Sequence, residues 1–312
     1  FLEKEDNYKM LSDIHGRLKS TYDKIIECGS KRYLGTYYRV SFYGHSFKED
    51  HGCEYIYKEP RVTQLGEVVE RLTKIYTPRC VNLSIIKEST KVKWNQLDQN
   101  NDYIQINVVR PIGKIKNNKG SFLIHHNNNT FIAETPFTAS GKARGAITEQ
   151  CKRITTFTTA KSFPYITKRN AIIKKHELEL TPIEVAIAEM TTQVSELTDL
   201  IEKKPADMKG LQLRLQGSVS VTVNAGPLAY ANDFLKGEAK NSHPTNSIEK
   251  LSNVFLQFMD ICERALSLNA ELIKDDQVEY HKGLIYQYTI LSNNLQDILG
   301  IAPTEEPPLS DL

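Results

Sequence analysis

The chain has 312 residues, of which 40% are hydrophobic and 25% are charged, and its 40 basic and 38 acidic residues leave a formal charge of +2. This composition is typical of a globular protein with two or three compact units. The near-zero charge excludes a general electrostatic attraction to nucleic acid, and no apolar run is long enough to cross a membrane. The five cysteines contain no Cys-x-x-Cys pair, which predicts a reducing compartment without disulfides or a zinc site.

The first part of the chain combines a helix with a run of strands. Leu11, Ile14 and Leu18 recur at three- and four-residue steps, which predicts a helix over 6–29. From residue 34 the period becomes two, and Tyr38, Val40 and Phe42 alternate with polar positions, as in a strand with one buried face. Further strands are predicted at 54–57, 81–85, 104–108, 122–124, 130–133, 152–159 and 171–180, with a helix at 64–76 and a hairpin loop at 125–129. We therefore expect a mostly antiparallel sheet.

The remainder of the chain has a helical period. Thr181 and Glu184 form a capping box around Pro182, and an apolar stripe with steps of four and three follows them. Later helices are predicted to begin at Asn246 and to be capped by Asp275. Helices with narrow apolar stripes and short connections pack as an antiparallel bundle. The predicted fold class is α+β, a mostly antiparallel β-sheet lobe followed by an antiparallel helical bundle with one interrupted helix.

One bundle segment, 211–228, conflicts with its helical surroundings. Gly217 and Gly226 bracket a stretch rich in β-branched residues, and Pro227 follows at once. These residues disfavour a continuous helix, so a loop of about ten residues is predicted to interrupt it. Two interpretations are open: a loop that packs its valines inward, or an apolar loop displayed to a partner. Conflicts between local and global preferences tend to mark functional sites.

The sequence contains no recognisable motif for covalent chemistry. It has no G-x-S-x-G, H-E-x-x-H or G-x-G-x-x-G pattern, and Ala143 stands where a phosphate-binding loop needs Ser or Thr. His125 and His126 lack further ligands for a metal. Cys151 precedes two basic residues but has no evident base beside it. We therefore predict neither a metal site nor a cofactor.

Many short motifs in a consistent order resemble the nucleotide-exchange region of the dedicator-of-cytokinesis (DOCK) family. The matching motifs are LGTYYRVSFYG (34–44), YKEP (57–60), TPFT (135–138), EQCKR (149–153), FPY (163–165), PIEVA (182–186), LQGSV (215–219), VNAGPL (223–228) and LIKDDQ (272–277). The resemblance covers nearly the whole chain, and the later motifs are most similar to the zizimin, or D, subfamily. Residues 111–130 depart from the family pattern.

The resemblance implies the three lobes of Dock homology region two. These would be the last helix of a largely missing dimerisation lobe at 1–30, a sheet lobe at 31–180, a four-helix-bundle lobe with a sensor loop at 181–302, and a disordered tail at 303–312. Val223 is implied to be the nucleotide sensor, with Val221 and Val219 as second choices. The loop implied to contact a GTPase comprises Gly217, Ser218, Val219, Val221, Asn224, Ala225, Gly226 and Pro227.

The implied activity is guanine-nucleotide exchange on a Rho-family GTPase, without covalent chemistry or a cofactor. The zizimin-like motifs imply a GTPase of the cell-division-control-protein-42 type, with Rac as the second choice. The implied location is the cytoplasm, with recruitment to the plasma membrane by regions outside this chain. The alternative interpretation is a GTPase-binding scaffold that exchanges nucleotide weakly or not at all.

Overall fold

The computed structural model describes residues 2–28, 35–60, 62–89, 91–112, 127–141, 145–220 and 226–301. The chain divides into two compact units. The first combines Phe1–Thr135 with Ile154–Leu178, and the second combines Pro136–Arg153 with Glu179–Leu312. The described part is rich in both helix and antiparallel sheet, which confirms the predicted α+β class.

In its described residues, the first unit carries two α-helices and a seven-stranded sheet. The helices are α1 (Tyr8–Cys28) and α2 (Leu65–Tyr76). The strands are β1 (Thr36–Tyr43), β2 (Glu54–Glu59), β3 (Ser84–Ile86), β4 (Tyr103–Pro111), β5 (Asn128–Thr138), β6 (Gln150–Phe163) and β7 (Arg169–Leu180), and the ends of β5, β6 and β7 extend into the residues of the second unit.

The strands follow the order β1-β2-β7-β6-β5-β4-β3, and β1 also pairs with β4. This extra pairing closes six of the strands into a ring and leaves β3 beside β4. The pairs of β1 with β2, β1 with β4, β2 with β7 and β4 with β5 are antiparallel, whereas β3 and β4 are parallel. Closure removes the free edges that an open sheet would expose.

Closure also buries both faces of β1, where the sequence predicts only one buried face. Tyr38 and its alternate neighbours pack with Val68 and Leu72 of α2. Tyr37, on the opposite face, packs with Phe131 and other rings from the strands across the ring. Because successive side chains of a strand point to opposite faces, the polar positions between the apolar ones are enclosed as well.

Arg39 is one of the charged residues that this closure encloses. The residue is 7% exposed, and its Nε donates to Glu54 Oε2 at 2.7 Å. Its Nη1 donates to Gln105 Oε1 at 3.1 Å and to Asn107 Oδ1 at 3.0 Å. Burial raises the pKa of Glu54, but the hydrogen bond and charge of Arg39 outweigh it, so the net pKa lies below the ordinary value. A buried charge is tolerated when it is paired in this way.

Predictions for two strands and one loop of the sheet are wrong in extent. The predicted strand at 81–85 begins only at Ser84, because the Val81 N–H donates to Asp102 Oδ2 at 2.7 Å instead of joining the sheet. β6 is longer than predicted, since it runs from Gln150 to Phe163. Of the predicted hairpin loop 125–129, Asn128 and Asn129 belong to β5, and 122–126 lie outside the described residues.

The second unit is built mainly from five helices within its described part. They are α3 (Pro182–Glu202), α4 (Met208–Val219), α5 (Pro227–Leu235), α6 (Thr245–Leu272) and α7 (Val278–Leu299). The predicted stripe of α3 is confirmed, because Ile183, Met190 and Leu197 lie in one continuous core with α4 to α7. Phe255 and Phe258 of α6 are fully buried at its centre.

Two helix starts in the second unit show how capping fixes the boundaries. The Glu184 Oε2 atom accepts hydrogen bonds at 2.8 Å from the backbone N–H and from the hydroxyl of Thr181, which confirms the predicted capping box. The predicted cap at Asp275 is wrong. Asp275–Gln277 forms a short 3-10 turn, and α7 begins after it at Val278.

His281 on α7 gives the bundle a predicted pH dependence. Burial lowers its pKa from the ordinary 6.5, so the folded protein holds the ring neutral while the unfolded chain takes up a proton. Its contribution to stability is therefore complete above about pH 6.5 and is lost as the pH falls toward the folded pKa. We expect His281→Gln to reduce the loss of unfolding free energy between pH 7 and pH 5.5, measured by urea denaturation. The matched control is His15→Gln, on exposed α1. If the unfolding free energy changed with pH equally in the parent and in His281→Gln, the prediction would be contradicted.

Candidate functional site

The candidate site is the interruption between α4 and α5. α4 begins after Asp207, whose Oδ1 accepts a hydrogen bond from the Gly210 N–H at 3.0 Å. Leu211, Leu215 and Val219 then bury one face of the helix in the bundle core. The helix therefore includes the first three residues of the predicted loop, Gly217 to Val219, and ends after Val219.

The chain resumes as a helix after a glycine and a proline. Gly226 has φ 93° and ψ −170°, a backbone conformation that side-chain-bearing residues rarely adopt. Pro227 occupies the first turn of α5, where its fixed φ suits a helix and its missing N–H costs nothing. The Tyr230 N–H donates to the Gly226 carbonyl at 3.1 Å, which closes the first turn. The interruption is thus a connection that starts at Ser220 and ends at Gly226.

Both ends of this connection are fixed to other helices of the second unit. At the first end, Arg214 pairs with Glu196 of α3, and Tyr280 of α7 donates its hydroxyl proton to Gln216 Oε1 at 3.2 Å. The helix ends that flank the connection are therefore held by contacts within the second unit.

A three-residue polar cluster fixes the second end, and sequence reasoning missed it. The Tyr230 hydroxyl donates to the Glu189 carboxylate of α3, and Lys152 Nζ lies 3.2 Å from Glu189 Oε1. Burial first, and then the hydrogen bond to Glu189, raise the pKa of Tyr230 well above its usual range. These residues are 37 to 78 positions apart, so no sequence period could have connected them.

The structure divides the predicted site residues into three groups. Gly217, Ser218 and Val219 belong to α4, so the prediction that they lie in a loop is wrong. Ser218 and Val219 are buried in the bundle core, and this burial stabilises the helix although it ends in a β-branched residue. Gly226 and Pro227 form the start of α5. Val221, Val223, Asn224 and Ala225 lie outside the described residues. Their predicted contact with a GTPase stays a prediction.

Gly217 offers a direct test of this helix boundary. A Cβ added at Gly217 would meet no heavy atom within 4 Å, and the residue is helical. We expect Gly217→Ala to raise the unfolding free energy by about 0.5–1 kcal/mol, because glycine loses more backbone freedom in a helix. The measurement is urea denaturation followed by circular dichroism.

The matched control for Gly217 lies at the start of the same helix. A Cβ at Gly210 would come within 2.9 Å of the Asp207 carboxylate that caps α4. Gly210→Ala should therefore show no such gain. If Gly217→Ala lowered the stability, the assignment of Gly217 to the interior of α4 would be wrong.

The described residues contain no candidate metal centre. No group of three or more His, Cys, Asp or Glu side chains is placed to hold a metal ion within those ranges. None of the helices in this part of the chain has the length and apolar character needed to span a bilayer. The fold and the interrupted helix together define a class of protein: an α+β protein in which bundle helices α4 and α5 flank a short connecting segment.

Comparison with known proteins identifies the family. The family model described as DHR-2, Lobe B matches residues 89–162, and the one described as DHR-2, Lobe C matches residues 196–298. Together they cover more than half of the chain, and the candidate site lies inside the second match. The chain belongs to the DHR-2 family of DOCK proteins.

Individual relatives agree with this assignment. The chain is 42% identical over 305 residues to dedicator of cytokinesis protein 11 from Danio rerio, covering 95% of this chain and 15% of that protein. It is 40% identical over 319 residues to dedicator of cytokinesis protein 9 from Homo sapiens, again covering 95% of this chain and 15% of the relative. Dedicator of cytokinesis protein 8 from Homo sapiens is 38% identical over 304 residues, which cover 96% of this chain and 14% of the relative. The chain thus spans about a seventh of the length of these relatives.

Proposed function

We propose that this chain is the nucleotide-exchange region of a Rho-family guanine-nucleotide exchange factor. It would bind the GTPase, expel GDP and Mg²⁺, and stabilise the nucleotide-free state without covalent chemistry. The observation that carries the proposal is the interrupted helix within the DHR-2, Lobe C match. We further propose that Val223, in the interruption, is the nucleotide sensor.

The order of residues around the interruption supports Val223 over its neighbours. Val219 is fully buried in the bundle core, so it is needed for packing and is a poor choice for insertion into a partner. Val223 stands three residues before Gly226, where the backbone turns sharply into α5. A valine side chain has one preferred χ1 rotamer in many settings, so it can serve as a small rigid wedge.

The mechanism follows from the chemistry of the bound nucleotide. Mg²⁺ on a GTPase is held by hard oxygen ligands, including phosphate oxygens. An isopropyl group pushed toward that ion supplies no oxygen ligand and excludes water, so the ion leaves and the phosphates lose a counter-charge. Tight binding of the chain to the empty GTPase must then weaken nucleotide binding by the same factor, because the two equilibria are linked. Entry of GTP with Mg²⁺ reverses the process and releases the factor.

The finer assignments rest on the sequence motifs. We propose a GTPase of the cell-division-control-protein-42 type, with Rac as the second candidate, on the zizimin-like motifs. The site of action would be the cytoplasm, with plasma-membrane recruitment through regions outside this chain.

We propose lobe boundaries near residues 30, 180 and 302, and dimerisation through the helical lobe to which α1 would belong. The exposed apolar residues along α1, including Ile14, Leu18 and Ile26, support a role in such packing.

The proposal is tested by comparing two affinities for each of three GTPases. The chain is titrated into Rho, Rac and cell-division-control-protein-42 type GTPases, each either nucleotide-free or loaded with GDP and Mg²⁺, and binding is followed by calorimetry. For the true partner we expect the nucleotide-free form to bind at least about 10-fold more tightly, within or above the usual range of coupling between two ligands. Equal affinities for both forms would identify a scaffold and refute the exchange mechanism.

A further inference from the structure

A cavity of about 620 Å³ lies where the end of α6 meets the beginning of α7. Ala270 and Ile273 form its wall at the end of α6, and Val278 and Ile285 form its wall on α7. This volume and this mainly apolar lining are typical of sites for small organic molecules.

Two nitrogen-bearing side chains give the apolar cavity a polar end. His281 forms part of the wall and is 5% exposed, and Lys274 lies at the rim. His281 Nδ1 lies 2.8 Å from Asn269 Nδ2, which leaves Nε2 buried and without a hydrogen-bond partner among the described residues. Asn269 Oδ1, fully buried beside it, is likewise without one among those residues. Buried unpaired polar atoms are rare, and functional sites are one place where they are kept.

The charges around the cavity favour an anionic head group. Lys282, on the wall, is paired with Glu279 at 2.9 Å, and Asp275 stands at the exposed rim. Lys274 has no ion pair within the described ranges, so its ammonium group is available to a ligand. A charge-assisted hydrogen bond from Lys274, together with the neutral His281 ring, suits a carboxylate or sulfonate better than a second cation.

We propose that this cavity binds a small apolar molecule with one anionic head group, and that its occupancy alters the end of α4 that precedes the proposed sensor segment. The connection is direct along α7. His281 adjoins Tyr280, whose hydroxyl holds Gln216 in the last turn of α4 at 3.2 Å. A ligand that shifts the first turn of α7 shifts the same turn that carries Tyr280. This second part rests on the proposed exchange function.

The binding part is tested on the chain alone, with anilinonaphthalene sulfonate as a fluorescent probe and decanoate as its competitor. We expect saturable binding at one site and displacement of the probe by decanoate. Ala270→Phe fills the cavity and should weaken binding about tenfold or more, a loss of ~1.4 kcal/mol. Gln257→Phe, exposed on the same helix about 20 Å away by helix rise, is the matched control and should change nothing.

Two further variants separate the head group from folding effects. Lys274→Ala should weaken binding of the anionic probe several-fold without changing the circular-dichroism spectrum. If Ala270→Phe fails to fold, Thr289→Trp at the exposed wall blocks the cavity instead. Absent binding, or equal binding by parent and blocked variants, overturns the site.

The coupling part is tested by GDP release from the partner GTPase with and without saturating decanoate. If decanoate changes the rate of GDP release with the parent but not with the blocked variant, the coupling is supported. Binding with an unchanged exchange rate overturns the coupling and leaves the site intact. A parent chain without exchange activity contradicts the proposed function, and the binding result is unaffected by it.

Discussion

Val223→Ala is expected to reduce the rate of GDP release from the partner GTPase about 10-fold or more, which corresponds to an increase of about 1.4 kcal/mol or more in the activation barrier. Removing two methyl groups withdraws the apolar wedge from the Mg²⁺ site, while the surfaces that hold the GTPase stay in place. The measurement is release of a fluorescent GDP analogue at saturating chain, alongside the affinity for nucleotide-free GTPase. Binding should persist while release slows.

Two neighbouring valines provide matched controls for this result. Val221→Ala changes the same segment by the same two methyl groups and should retain most of the activity. Val219→Ala removes volume from the bundle core and should lower the unfolding free energy by about 1–3 kcal/mol, with a smaller effect on the rate per folded molecule. Full activity in Val223→Ala, with loss in Val221→Ala, would move the sensor to Val221.

Arg39→Ala is expected to have the largest effect on stability, about 3–5 kcal/mol, because it removes a buried guanidinium and leaves the half-buried Glu54 carboxylate without its main partner. Gln105 and Asn107 would each lose a hydrogen-bond donor in the same step. Lys175 Nζ, at 3.9 Å from Glu54 Oε1, is too distant to replace the 2.7 Å bond from Arg39. Chemical denaturation of the parent and the variant measures the difference.

The control for Arg39 is an exposed ion pair on the same sheet. Arg110 pairs with Glu134, and its side chain is largely exposed, so Arg110→Ala should change the unfolding free energy by less than about 1 kcal/mol. Arg39→Lys should lose an amount of unfolding free energy between the losses of Arg39→Ala and Arg110→Ala, since lysine keeps the charge but lacks the planar guanidinium that reaches three acceptors. If Arg39→Ala and Arg110→Ala lowered the unfolding free energy by the same amount, the hydrogen bonds of Arg39 would stabilise the fold no more than an exposed ion pair does.

The same network predicts an acid dependence. The pKa of folded Glu54 lies below its ordinary value of 4.5, so its contribution to stability is complete above pH 4.5 and is lost as the pH falls toward the folded pKa. Glu54→Gln cannot gain or lose a proton at this position. We therefore expect its unfolding free energy to fall less steeply below pH 4.5 than that of the parent, measured by urea denaturation at each pH. Parallel curves would contradict the assigned direction of the shift.

Local patterns in the sequence were sufficient to predict the kinds of elements in this fold. The stripe of Ile183, Met190 and Leu197 predicts a buried helix face, and the bundle contains it. The same reasoning could not predict that β1 pairs with β4 as well as β2, because pairing partners far apart in sequence leave no local period. Without that closure Arg39 looks like a solvent-facing strand residue, when it is in fact enclosed.

The interruption between α4 and α5 was predicted in position but not in extent. Gly217 and β-branched Val219 have poor helix propensity, and propensity alone ends the helix before them. The structure continues α4 through both because Leu215 and Val219 are buried in the bundle, and burial outweighs a propensity difference of less than about 1 kcal/mol per residue. The anchor formed by Tyr230, Glu189 and Lys152 depends on three distant segments, so only the folded arrangement reveals it.

The most direct test of the account is the rate of GDP release from the three Rho-family GTPases with and without the chain. We predict that release from one of them, the cell-division-control-protein-42 type, accelerates in proportion to chain concentration, and that Val223→Ala loses most of this acceleration. An unchanged release rate from all three GTPases, with a folded chain that still binds one of them, would contradict the exchange function and leave a scaffold.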